Sequence, residues 1–177
     1  KNSHNWTDTA ISYVAGKIWN GASLNGTSSF IEIPDSVDLR YQTGWVNGNL
    51  SVSIWYKPTN TTGVQTLIWK WDNGSASTDW IIYQNWGTIT GAILWWADQA
   101  ATWSVLSAGT WCHIVMTIDS SKNIAVYING SSSATATNST SPTYWTYDPV
   151  RIGQNSSTNW MNWVVDLVQI FSSELAS

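Results

Sequence analysis

Cysteine is almost absent from this 177-residue chain. Cys112 stands alone, so no internal disulfide can form, and the fold must rest on a buried apolar core. Its setting, Trp111-Cys112-His113-Ile114-Val115, reads as a strand and gives the thiol the role of a small packed side chain rather than a nucleophile. Charge is scarce as well: Asp, Glu, Lys and Arg make up 10% of the chain and the net charge is −4. Without a basic patch, nucleic acid is excluded as a partner. No apolar run reaches the roughly 18 residues that span a bilayer, so direct membrane insertion is not expected. Glutamate is limited to Glu32 and Glu174, which lie far apart. No pair of Asp residues falls at i, i+2 or i, i+4, and no Cys/His cluster has zinc spacing. His4 is near the start of the chain, and His113 reads as a partly exposed strand residue, so a Ser-His-Asp triad has no supported histidine.

What is present is β structure. Short apolar segments alternate with polar residues and are separated by turn clusters, the pattern of antiparallel strands in a sandwich or barrel. Leu50-Ser51-Val52-Ser53-Ile54-Trp55-Tyr56-Lys57 alternates strictly up to Pro58, with Leu50, Val52, Ile54 and Tyr56 on one face. A second strand runs from Thr110 to Asp119, and a third, 123–128, ends in the turn Asn129-Gly130, with 119–122 forming the hairpin between them. Further strands are expected at 30–33, 66–71, 80–83, 92–95, 150–152 and 164–171, and no helix of ten residues. Ten or so strands in one domain, residues 1–177, imply two packed antiparallel sheets. The Ser/Thr-rich stretch 131–143 reads as strand edge plus loop inside that domain. The abrupt start at Lys1 reads as a piece of a larger secreted protein. Eight Asn-x-Ser/Thr triplets, at Asn5, Asn25, Asn49, Asn60, Asn73, Asn129, Asn138 and Asn155, are potential glycan acceptors in such a protein, though a chain this rich in Asn, Ser and Thr contains several by chance.

The order of these motifs resembles a known family. Gly16-Lys17-Ile18, Gly21 to Gly26 and Phe30-Ile31-Glu32-Ile33-Pro34 resemble the opening hairpin of concanavalin A-like lectin/glucanase domains of the laminin-G-like type. Ser51 to Pro58, Gly109 to Val115, Tyr127-Ile128-Asn129-Gly130, and Arg151-Ile152-Gly153 with Val165 to Phe171 match later strands of that family in order, from about residue 11 to the end. One further strand usual ahead of this region is expected to be absent or replaced. The resemblance implies a concanavalin A-like jelly roll, a two-sheet β-sandwich. It also implies a non-catalytic, lectin-like carbohydrate-binding or adhesion module of an extracellular or cell-surface bacterial protein, with a glycan or cell-surface polysaccharide as partner. The alternative is a structural spacer or protein–protein interaction domain without a sugar ligand. Relatives that hydrolyse β-glucans use two glutamates on one strand, about 5 Å apart. This chain has no such pair, so it is not expected to be an enzyme.

Many members of the family hold Ca²⁺, and the resemblance implies Asp166 as its ligand, with Asp35 and Asp38 as partners. Strand alternation puts Asp166 on one face with Val168 and Ile170. If that face is core, the carboxylate must be hydrogen-bonded or metal-bound. Stacking platforms for sugar rings are expected at Trp71, Trp80, Trp86, Trp95, Trp96 and Trp103.

Tryptophan is the unusual abundance, at 15 residues against 12 glycines. Trp55 and Trp111 stand where the resembled family carries Trp, but Trp6, Trp19, Trp86, Trp96, Trp145 and Trp163 stand where turn chemistry calls for Gly. Two explanations fit. Exposed indoles serve sugar binding, or the gene uses an alternative genetic code in which UGA is read as glycine.

Overall fold

The computed structural model describes residues 5–41, 48–71, 78–93, 99–102, 106–137, 148–154, 161–173 and 175. Fourteen strands run in chain order: β1 (Thr7–Thr9), β2 (Ser12–Ala15), β3 (Asn20–Asn25), β4 (Phe30–Ile33), β5 (Leu50–Pro58), β6 (Val64–Trp71), β7 (Thr78–Asn85), β8 (Thr88–Ala92), β9 (Gln99–Ala101), β10 (Cys112–Ile118), β11 (Asn123–Ile128), β12 (Ser131–Thr137), β13 (Val150–Ile152) and β14 (Asn162–Phe171). One 3₁₀ turn, Val37–Leu39, is the only helical piece among the described residues. The strands make two antiparallel seven-stranded sheets. The first has the order β1-β4-β13-β6-β7-β8-β9, and the second β12-β11-β10-β5-β14-β3-β2.

The core lies where the alternation places it. Leu50, Val52, Ile54 and Tyr56 of β5 are fully buried and stand opposite Ile118, Met116, Ile114 and Cys112 of β10. Ile68, Trp80, Ile82, Ile89, Val150 and Ile152 meet them from the first sheet. Gly91 on β8 marks how closely the sheets approach, since a Cβ there would sit 2.8 Å from Met116 Sδ and 2.9 Å from Val126 Cγ2. Backbone-to-side-chain contact this tight requires the residue without a Cβ.

Two expectations need correction. Strands do precede the opening hairpin: β2 pairs with β3, and β1 pairs with β4, so the start of the chain forms one edge of each sheet. Asp166 does not share a face with Ile170. The pairing of β14 with β5 shifts between Asp166 and Gln169, and Leu167 in that bulge has φ +47°. The extra residue breaks the two-residue period. Ile170 therefore stands opposite the core residue Val52, while Asp166 stands opposite Trp55 on the outer side of the sheet.

Candidate functional site

The outer face of the first sheet carries one cross-strand row set by register. Thr7 of β1 stands opposite Glu32 of β4, Glu32 opposite Arg151 of β13, Arg151 opposite Trp69 of β6, Trp69 opposite Ile81 of β7, and Ile81 opposite Ala92 of β8. Side chains directly opposite on one face are within contact reach of each other. At one end Arg151 donates from Nε to Glu32 Oε2 at 2.9 Å, and its Nη2 lies 2.9 Å from the same oxygen. The pair is about one-third exposed on both sides (36% and 34%), so part of its donor and acceptor surface faces solvent. The guanidinium also lies 5.8 Å from the centroid of the Phe30 ring. At the other end Trp69, Ile81, Tyr83 and Ala92 form a second small apolar cluster, separate from the main core. Trp69 Nε1 donates to the Gln154 carbonyl, which anchors the indole. Thr66, opposite Tyr83, is fully buried there, and its Oγ1 has no hydrogen-bond partner among the described residues.

The indoles expected as platforms divide. Trp80 is a correction: it is fully buried in the main core and its Nε1 donates to the Leu39 carbonyl at 2.9 Å. Alternation on β7 points it inward with Ile82, so no sugar can reach its face. Trp86 is 68% exposed on the β7–β8 turn. Its N–H donates to the Gly63 carbonyl at 3.0 Å, and the neighbouring Gly87 carbonyl accepts from Leu106 N at 2.8 Å, so the turn is clamped on both sides. Trp71 ends β6, but its side chain, like Trp95, Trp96 and Trp103, lies outside the described residues. Trp6 and Trp19 are exposed on separate elements, at the start of β1 and in the β2–β3 turn. Trp55 and Trp111 are half-buried and have ring and cation neighbours. The Trp55 ring stacks on His113 at 4.9 Å and lies 5.1 Å from Lys17 Nζ, and Lys57 Nζ lies 5.9 Å from the Trp111 ring.

The carboxylates expected to hold Ca²⁺ do not fit it. Asp166 Oδ2 accepts from the backbone N–H groups of Ile18 at 2.7 Å and Trp19 at 3.1 Å. Burial pushes this carboxyl up, but the N–H groups of Ile18, Trp19, Lys17 and Leu167 pull it further down, below its ordinary value. Asp35 is ion-paired with both Arg40 and Lys70. Burial raises its pKa, and the two cations lower it by more. Asp38 accepts from Ser36 Oγ. A cation at Asp166 or Asp35 would face N–H donors and ammonium groups instead of oxygen ligands. Among the described residues no three His, Cys, Asp or Glu side chains gather as a metal set. Asp166 therefore has the hydrogen-bonding role left open by its sequence, and what it holds is the β2–β3 turn.

Sequence reasoning missed the pairing of Arg151 with Glu32. Both were visible only as members of strand motifs, 119 positions apart, and nothing local announces their pairing.

A family model described as the concanavalin A-like lectin/glucanases superfamily matches residues 25–177. No curated protein sequence matches the chain. Among solved structures, domain 4 of AbnA, a GH43 extracellular arabinanase from Geobacillus stearothermophilus in complex with arabinotriose, matches with a TM-score of 0.75 and 23% identity over 97% of this chain and 83% of its own. The binding domain of Paraclostridial Mosquitocidal Protein 1 gives 0.72 and 16% over 98% of this chain and 45% of that one. The structure of botulinum neurotoxin type C whose cell entry depends on two ganglioside molecules gives 0.70 and 14% over 98% and 44%. The chain thus spans less than half of the toxin chains. These likenesses establish a shared fold, and no helix among the described residues is long and apolar enough to cross a membrane.

Proposed function

The chain belongs to the concanavalin A-like lectin/glucanases superfamily, and from that premise we propose that it is a non-catalytic carbohydrate-binding module of a larger extracellular protein. The observation that carries this reading is the Glu32–Arg151 pair on the outer face of the first sheet, one-third exposed beside Phe30. A neutralised guanidinium–carboxylate pair offers fixed donors and acceptors to neighbouring hydroxyls without favouring a charged ligand. Sugar-bound and ganglioside-dependent neighbours of the same fold support the reading. So does the fate of the described carboxylates. Glu32 is bonded to Arg151 and Asp35 to two cations, so neither is free to serve as the acid or base that glycoside hydrolysis uses.

A glycan array including arabino-oligosaccharides, followed by calorimetry on the best ligand, tests this. Binding by the parent chain and at least about tenfold weaker binding by Arg151→Ala, the loss of about one charge-assisted hydrogen bond, is expected. Equal binding by the parent and the variant would move the site elsewhere. No binding to any glycan would favour the second reading, a structural spacer. One observation favours that reading: the exposed indoles Trp6, Trp19 and Trp86 stand on different elements.

A further inference from the structure

We propose that the protein as its own cell makes it carries glycine at positions 86 and 163, because its gene has UGA at these positions and its cell reads UGA as glycine. Position 86 is argued from backbone geometry. Trp86 and Gly87 have φ values of +49° and +86°, and Asn129 and Gly130 have +51° and +81°. Two successive left-handed residues make a hairpin turn that selects Asn or Gly first and Gly second. A bulky side chain there is strained, and nothing in the clamp on this turn uses the indole, since both hydrogen bonds come from the backbone.

Position 163 is argued from an unmet hydrogen bond. Trp163 is fully buried against Tyr56, yet its Nε1 has no partner among the described residues. Leaving a buried N–H unpaired is costly, and native interiors seldom do it. Trp69 and Trp80, the other tryptophans of the described interior, each donate to a carbonyl, at Gln154 and Leu39. Sequence ties the two positions together. Asparagine precedes tryptophan at both, 85–86 and 162–163, and again at 5–6 and 159–160. Trp19 shares neither feature: its backbone is not left-handed and its indole is 73% exposed.

The codons decide it. UGA at 86 and 163, with UGG at Trp55 and Trp80, is the expected split, and UGG at 86 and 163 overturns the proposal. An independent measurement uses the purified chain. Trp86→Gly should melt at a higher temperature than the parent. Trp163→Gly should melt no lower, although removing a buried indole ordinarily opens a destabilising cavity, as Trp80→Gly should. A fall of several degrees for Trp163→Gly, matching that of Trp80→Gly, would sink the idea. Glycan binding is read on Arg151→Ala, and the codons and melting temperatures are read at positions 86 and 163, so this proposal and the carbohydrate-binding reading fail separately.

Discussion

Asp166 shows how one side chain can hold a fold junction. Its carboxylate gathers the backbone N–H groups of the β2–β3 turn, and a Cβ added at Gly16 would sit 2.6 Å from its Oδ2 and 2.5 Å from the Trp19 carbonyl. The turn is closed around the carboxylate as tightly as a chain without a side chain at 16 allows. Asp166→Ala should therefore cost about 1–3 kcal/mol in urea unfolding, the desolvation cost of the N–H groups left unpaired. Acid gives the same information. The folded-state pKa of Asp166 lies below its ordinary value of 3.8, so its stabilisation is present above about pH 4 and fades as the pH falls through the folded value. Asp35 has the same sign. A thermal midpoint that drops below pH 4 in the parent, and drops less in Asp166→Asn, is expected from melts across that range. Trp80 belongs to this scale too: Trp80→Ala should lose about 3–5 kcal/mol in the same measurement, as a large side chain leaves the core.

At the scale of elements, glycine decides where strands can meet. Gly153 ends β13 with φ +88°, and a Cβ on it would overlap Leu24 Cδ2 at 1.8 Å. Both the backbone angle and the contact oppose any side chain, so Gly153→Ala should destabilise by about 2–4 kcal/mol, read from denaturant midpoints at constant m-value. The four edges of the two sheets are managed unequally. β12, on one edge of the second sheet, lies against β9, on one edge of the first. β2 is an edge without charge or proline, and its Tyr13 and Val14 are exposed. Flat apolar edges of this kind favour strand pairing between chains. Val14→Lys should lower any concentration-dependent self-association seen by sedimentation while leaving the melting temperature nearly unchanged.

The whole molecule is closed by its ends. β14, near the end of the chain, lies between β5 and β3, and β13 lies between β4 and β6, so both sheets bind early strands to late ones. Removing residues 162–177 would take a central strand from the second sheet together with Trp163 and Val165 of the core. That truncation should leave no cooperative thermal transition by circular dichroism, because β3 and β5 lose the strand that joins them and the second sheet is cut in two.

The sequence by itself determined the strands whose two faces differ. β4, β11 and β13 fall at the expected 30–33, 123–128 and 150–152, and β5 has its expected inward set, because a period of two in hydrophobicity can be satisfied only by a half-buried extended chain. The sandwich class followed from the same signal, repeated. What only the tertiary structure decided depends on partners distant in the chain. The short strands β1, β2 and β9 have no period long enough to read, and they exist because neighbouring strands offer them unpaired backbone groups. The face of Asp166 was set by a bulge, which adds one residue and reverses every later parity. Of the candidate site, Glu32 and Arg151 were in view as strand residues, but their meeting, and the burial of Trp80, came from which strands stand side by side. That choice is made by packing two sheets into one core, a property no local run of residues contains.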